Sequence, residues 1–202
     1  MFHVLGAGGH AKVIIDILKK NGEKNIFVFD DNEYKIEKGK VLGAEIKGSI
    51  KGYNEIDKDI NLIIGIGDNK TRKEIAEKVN GNYGVAIHPS AVIGEDVTIG
   101  NGTVIMANAV INSGTRIGMH CIINTAATVD HDCILDNYVH ISPGAHLGGN
   151  VRVDELTWIG LGSSIKNNIS IEKNVLIGAG SVVVNDIMEK GIYAGSPARR
   201  IK

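Results

Sequence analysis

The sequence predicts an α/β N-terminal domain joined to an all-β left-handed parallel β-helix. Two observations carry that prediction. From Ile87 onward a large aliphatic residue recurs every six positions, and before it β-type and helical patterns alternate around a glycine-rich turn. Chains with a fixed short period stack one structural unit on the next, so the repeat outranks any local propensity.

The repeat runs Ile87, Ile93, Ile99, Ile105, Ile111, Ile117, Ile123, Val129, Leu135, Ile141, Leu147, Val153, Ile159, Ile165, Ile171, Ile177, Val183 without an exception. Four residues after each comes an uncharged, mostly small residue, from Ala91 and Val97 to Ser181 and Ile187, with Cys121 and Cys133 among them. Each short strand then sends one large and one small side chain inward and turns. A single unit buries almost nothing, whereas stacked units share a core and pair their backbones along the stack. The residue just after the large aliphatic is rich in Gly, Asn and Asp (Gly94, Gly100, Asn112, Asp130, Gly148, Gly160), and the unusual dihedrals of the corners are expected there. No loop interrupts the frame between Ile87 and Val183.

In the N-terminal part, Phe2 to Gly6 reads as a buried strand and VIIDILKKNG as an amphipathic helix ending at Gly22. Ile26 to Phe29 reads as a second strand, Asn61 to Gly67 as a further strand, and the segment from Asp68 as a capped helix. The order implies a parallel sheet. Gly6-Ala7-Gly8-Gly9-His10-Ala11 matches the glycine fingerprint of a nucleotide-binding turn, where bare backbone and a helix N-terminus accept phosphate. Asp30 ends the second strand, where an acid can accept hydrogen bonds from ribose hydroxyls. The segment has room for about one mononucleotide-binding half, so a half-Rossmann-like domain for a nucleotide or nucleotide sugar is expected over residues 1–85. The β-helix with a C-terminal tail is expected over residues 86–202.

The totals exclude several classes. The chain has 202 residues and a net charge of −1, which gives no surface for nucleic acid. Two cysteines in the small inward phase point to a reducing compartment rather than a disulfide framework. The start lacks a basic leader and no apolar run is long enough to span a bilayer, so a cytoplasmic protein without membrane insertion is expected. The six-residue period resembles that of hexapeptide-repeat acyltransferases, whose triangular coils take three hexapeptides; that implies an 18-residue coil, and histidines stacked one coil apart would suggest a metal ladder. The residues 18 positions beyond His120, His131, His140 and His146 are Tyr138, Gly149, Trp158 and Ser164, so no such ladder exists within one chain and no metal is expected. His131 stands between Asp130 and Asp132, which raises its basicity and fixes its tautomer, as a general base needs.

A glycine turn reading GAGGHAK, a β-helix carrying NTAATVDHDC and a closing Gly195-Ser196-Pro197-Ala198-Arg199 together resemble the PglD/NeuD family of bacterial sugar acetyltransferases. The resemblance covers nearly the whole chain. It implies an acetyl-CoA-dependent N-acetyltransferase acting on a nucleotide-linked amino sugar, with UDP favoured, for surface glycan or glycoprotein biosynthesis. O-acetylation of sialic acid or another sugar is the first alternative, and a non-catalytic nucleotide-sugar-binding scaffold the second. It assigns His131 as general base with Asp132, shorter than the family's usual Glu, as its partner. It assigns Asn124, His140, Gly149, Leu161, Ala179 and Arg199 to acetyl-CoA, with Arg200 as a rival to Arg199. It assigns Gly8, Gly9, His10, Asp30, Asp31 and Gly67 to the nucleotide sugar. It further implies direct transfer in a ternary complex, no tightly bound cofactor, and a homotrimer with acetyl-CoA between adjacent subunits.

Overall fold

The structure is a computed structural model that describes residues 1–54 and 59–202. The N-terminal part is built on β1 (Phe2–Leu5), flanked in parallel by β2 (Ile26–Phe29) and β5 (Asn61–Ile64). β4 (Ala44–Gly48) and β6 (Asn82–Tyr83) extend the sheet in parallel, and β3 (Lys40–Val41) adds an antiparallel edge. The helices are α1 (Gly9–Lys20), α2 (Glu33–Lys38) and α3 (Asn69–Lys78). This is an α/β unit with a mostly parallel sheet, and with one helix a mere six residues long the Rossmann pattern is only partly developed.

Each element has a local cause. In α1 the buried residues Ala11, Ile14, Ile15, Ile17 and Leu18 form one stripe, and Lys19 and Lys20 complement the dipole in the last turn. Asp68 caps α3 by accepting the Thr71 N–H at 2.9 Å. The strand expected to reach Gly67 stops at Ile64, and Gly65 to Gly67 form the loop into α3. Gly65 packs so closely on α1 that a Cβ there would lie 2.8 Å from the Ala11 Cβ.

From Ala86 the chain winds as a β-solenoid of three parallel sheets. Partners stand one 18-residue coil apart, as in Val104 with Ile122, Val110 with Thr128 and Arg116 with Ile134. The first sheet begins with Ala86–Ile87, the second with Val92–Ile93 and the third with Thr98–Ile99. Ile105, Ile111, Ile117, Ile123, Val129 and their successors fill one continuous core, together with small residues such as Ala109, Cys121, Ala127 and Cys133. Both cysteines are buried and unpaired.

The corners correct one expectation. Positive φ falls not on the residue after the large aliphatic but two residues later, at Asp96, Gly102, Asn108, Gly114, His120, Ala126, Asp132, Tyr138 and so on to Gly180. Glycine in the expected phase serves close approach instead. At Gly160 a Cβ would stand 2.4 Å from the Ile177 carbonyl oxygen of the next coil. His120, Ala126, Tyr138 and Leu156 hold left-handed backbone at a cost of about 1–2 kcal/mol each, because the stack above and below leaves no other path.

The hexapeptide frame ends at Val183, which pairs with Ile165. Ile187 then bridges Ile171, two residues short of a full coil. Gly191–Gly195 closes the first sheet in parallel, and Ala198–Arg200 returns antiparallel after a cis Ser196–Pro197 bond.

The two parts share a core. Ala86, Val104, Met106 and Ile122 on the outside of the first sheet join Phe2, Val4, Ala11 and Ile14 in one buried cluster. Burying one such aliphatic contributes about 1.5–3 kcal/mol, so Val104 and Ile122 alone anchor the contact. Among the described residues no helix is long and apolar enough to cross a membrane.

Candidate active site

The outward column of the first sheet runs Ala86, Val104, Ile122, His140, Trp158, Leu176. The N-terminal domain covers its first three members. His140 sits at the edge of that cover, 6 % exposed, with its ring stacked on Trp158 at 4.8 Å. Beyond it, Trp158, Leu161, Leu176 and Ala179 line an open apolar groove together with Ser142. Trp158 Nε1 donates to Ser142 Oγ at 2.8 Å, which fixes the indole as a wall of that groove.

The tautomer of His140 follows from its neighbours. Asn124 Oδ1 accepts the Thr125 N–H at 2.8 Å, so the Asn124 amide nitrogen faces His140 Nε2 at 3.1 Å. Nε2 is therefore the acceptor, and the neutral ring carries its proton on Nδ1. Nδ1 is buried, with no well-formed hydrogen bond among the described residues and the Gly67 backbone nearby. Burial lowers the His140 pKa to about 3, helped by Arg72 and His10 and opposed by the Gly67 backbone. His10, on the first turn of α1, has a buried Nε2 without a partner among the described residues and a pKa lowered to about 4 by burial and by Arg72. Both rings are neutral at physiological pH.

The glycine turn shows why its residues are small and where its acid points. A Cβ at Gly8 or Gly9 would meet nothing within 4 Å, so the backbone at the N-terminus of α1 is open to a ligand. Asp30 faces inward and braces this turn. Its Oδ2 accepts from the Ala7 N–H at 2.6 Å and from Lys35 Nζ at 3.0 Å, and its Oδ1 from the Asn32 N–H at 2.9 Å. Burial raises its pKa, but those bonds outweigh it and hold the carboxyl below the ordinary value. Asp31 is exposed and accepts the Lys51 N–H at 3.0 Å. Both acids line a cavity of about 600 Å³ with Lys51, Tyr53, Ile66 and Glu74, a size that suits a nucleoside.

His131 lies elsewhere, at the corner between the second and third sheets. Its Nδ1 bonds Asp132 Oδ2 at 2.8 Å, and its backbone N–H donates to Asp130 Oδ1 at 2.8 Å. A carboxylate only accepts, so the ring proton sits on Nδ1 and the Nε2 lone pair is left to act as a base. The hydrogen bond to Asp132 and the charge of Asp130 raise the His131 pKa above its ordinary 6.5. Gly149, one coil on, lies against Nε2, where a Cβ would come within 2.5 Å of that nitrogen.

Since a base works only unprotonated, activity resting on His131 is expected to fall as pH drops through this raised value. His10 and His140 stay neutral there and add no second limb. Asp132→Asn removes the main cause of the shift, so the acid limb of kcat/KM should move to lower pH. A limb that stays in place would contradict the pairing.

Among the acetyl-CoA candidates, Asn124, His140, Leu161 and Ala179 gather around one column, while Gly149 stands with His131 on another corner. Arg199 lies on the last strand, paired with Ala194 beside Gly178, and its guanidinium donates to the Ala198 carbonyl at 3.0 Å. Arg200 is held by Glu189 at 3.1 Å. Trp158 and Arg72 went unread in the sequence. The one indole of the chain, in an outward phase, was the signal for the first. Nothing local singles out Arg72.

A hexapeptide-repeat solenoid with a paired basic histidine, an apolar groove and an attached α/β domain with a nucleotide-type turn has the architecture of a sugar acyltransferase. Residues 2–79 match the model of the PglD N-terminal domain. The whole chain is similar to the acetyltransferase domain of PglB from Neisseria gonorrhoeae FA1090, with 37 % identity and a TM-score of 0.93 over 99 % of this chain and 98 % of that one. A second structure of that domain holds acetyl coenzyme A. PerB from Caulobacter crescentus, solved with CoA and GDP-perosamine, is 33 % identical with a TM-score of 0.89 over 100 % of this chain and 97 % of that one. UDP-N-acetylbacillosamine N-acetyltransferase of Bacillus subtilis (strain 168) is 37 % identical over 104 residues, which is 50 % of this chain and 48 % of that protein. The match thus spans about half the length of that curated relative. The chain belongs to the PglD/NeuD family of sugar acetyltransferases.

Proposed function

We propose that this chain transfers acetyl from acetyl-CoA to the amine of a nucleotide-linked amino sugar, UDP-linked in the first instance. The observation that carries the reading is the His131–Asp132 pair, with its free Nε2 beside Gly149. As the acceptor amine forms its C–N bond to the thioester carbonyl, His131 Nε2 takes the amine proton. The Gly149 N–H is a donor for the oxygen that becomes negative. The C–S bond then breaks, and the CoA thiolate takes the proton back from the imidazolium.

The two histidines stand apart on one coil, His131 at the corner after the second sheet and His140 on the strand of the first. We therefore infer a homotrimer in which His131 of one subunit faces the His140 groove and the N-terminal domain of its neighbour. The winding is left-handed and the N-terminal domain Rossmann-like in this reading, as the family has them. Gly8, Gly9, His10 and Gly67 would meet the sugar and pyrophosphate, Asp31 the ribose, and Arg199 the CoA phosphates. The buried thiols of Cys121 and Cys133 suit a reducing cytoplasm.

Thiol release from acetyl-CoA tests the function when measured across UDP-amino sugars, GDP-amino sugars and sialic acids. Release with a nucleotide amino sugar is expected. Release with sialic acid alone would replace this reading by O-acetylation, and none with any acceptor would leave a binding scaffold. Trp158→Ala is expected to raise the KM for acetyl-CoA about tenfold, the loss of one stacked aromatic wall, with little change in the acceptor KM.

A further inference from the structure

Arg72 is 1 % exposed, yet no carboxylate pairs with it among the described residues. It spends its guanidinium on five acceptors. Nε donates to the His120 carbonyl at 2.8 Å and Nη2 to the Tyr138 carbonyl at 3.0 Å. Both carbonyls belong to the solenoid corner between the third and first sheets. On the N-terminal side, Nη1 donates to the carbonyls of Ile66 at 3.2 Å and Gly67 at 3.0 Å, and Nη2 to Asn69 Oδ1 at 2.8 Å. A guanidinium has five N–H donors in a fixed fork, so its geometry is fully used.

Asn69 continues the same seam. Its amide donates to the carbonyls of Leu156 at 3.0 Å and Thr157 at 3.3 Å, one coil beyond Tyr138. Lys73 adds an ion pair with Glu155 at 2.9 Å. α3 thus grips His120, Tyr138 and Leu156, three left-handed corner residues stacked one above another. Glycine, asparagine or aspartate would hold those dihedrals at less cost. The strain there goes with a corner whose carbonyls face a partner.

We propose that Arg72 is a positioning residue for acetyl transfer: it locks the Gly65–Gly67 loop of the N-terminal domain to the solenoid and so fixes that loop and His10 relative to His140. The proposal rests on the acetyltransferase reading. An isolated buried cation is costly, and its retention makes sense where its field has a use. Three neighbouring imidazoles, those of His10, His120 and His140, have their pKa values lowered by burial and then by Arg72. Burial is the main reason that His140 stays neutral, and the guanidinium that aligns the loop adds to it.

The acetyl-CoA groove is made by the solenoid alone, which separates a positioning role from general destabilisation. Arg72→Met is expected to lower kcat/KM for the acceptor at least about tenfold while the acetyl-CoA KM stays within about twofold. Arg72→Lys keeps a cation but not the fork, and should recover part of the loss. Amide exchange supplies a readout that does not depend on activity. Residues 65–72 should exchange faster in Arg72→Met, with the solenoid core unchanged. If wild type proves inactive, the functional reading fails while exchange still decides the lock. Should Arg72→Met not fold, Asn69→Ala removes one holder of the seam and leaves Arg72 its four backbone carbonyls, and the same acceptor-selective loss is expected. A folded Arg72→Met, or in its absence Asn69→Ala, with acceptor kcat/KM within about twofold of wild type would overturn the proposal, as would unchanged exchange in residues 65–72.

Discussion

His131→Ala is expected to lower kcat at least about a hundredfold, the usual contribution of a positioned general base. The ring is exposed and belongs to no core, so the melting temperature should stay within a few degrees of wild type. The acetyl-CoA KM should also hold, because the apolar groove is lined by Trp158, Leu161, Leu176 and Ala179 and not by His131. Single-turnover thiol release and a thermal melt check all three together. Retained turnover would remove His131 from the chemistry. A collapse of stability would make it a structural residue.

Gly149→Ala should come close to that effect through a single methyl group. The added Cβ would lie 2.5 Å from His131 Nε2 and 2.7 Å from Cε1, well inside van der Waals contact. The stacked backbone of the next coil cannot yield, so the ring must turn, which breaks the 2.8 Å bond to Asp132 and misdirects the lone pair. A displacement of about 1 Å can cost about a hundredfold in rate. The φ at Gly149 is not in the left-handed region, so the backbone itself accepts alanine and stability should hardly change. Wild-type kcat in Gly149→Ala would show that Nε2 is not the working atom.

Much of this was legible because the repeat is a coordinate system. The inward phases put Cys121 and Cys133 in the core, and the resemblance to hexapeptide-repeat proteins supplied the 18-residue coil. The corner dihedrals were misplaced by two residues because Gly, Asn and Asp cluster both where coils approach closely and where φ turns positive. Near Asp30 the strand and acid were readable, but its inward bond to the Ala7 N–H was not, since a carboxylate that braces a turn and one that binds ribose look the same in one dimension. α2, β3 and β4 went unread in a stretch dominated by charge, although Ala44 and Ile46 alternate with Glu45 and Lys47 as a half-buried strand should. Arg72 was invisible for a different reason. Its partners are backbone carbonyls of His120 and Tyr138, which any residue supplies, so no side-chain pattern marks them. The burial of His120 and His140 was missed likewise, because the frame shows them outside the solenoid core and not the domain that covers them.

In the proposed trimer two half-sites, His131 at one corner and His140 with the N-terminal domain at the first sheet, meet across a subunit boundary. Mixing His131→Ala with His140→Ala subunits, co-refolded in equal amounts, tests it most directly. Each variant alone should be nearly inactive. In a closed ring with one site at each boundary, about a quarter of the sites in random mixtures pair an intact His131 with an intact His140. Recovery to about a quarter of wild-type turnover is the predicted result. If the mixture remains as inactive as its parents, the site lies within a single chain and the account is contradicted.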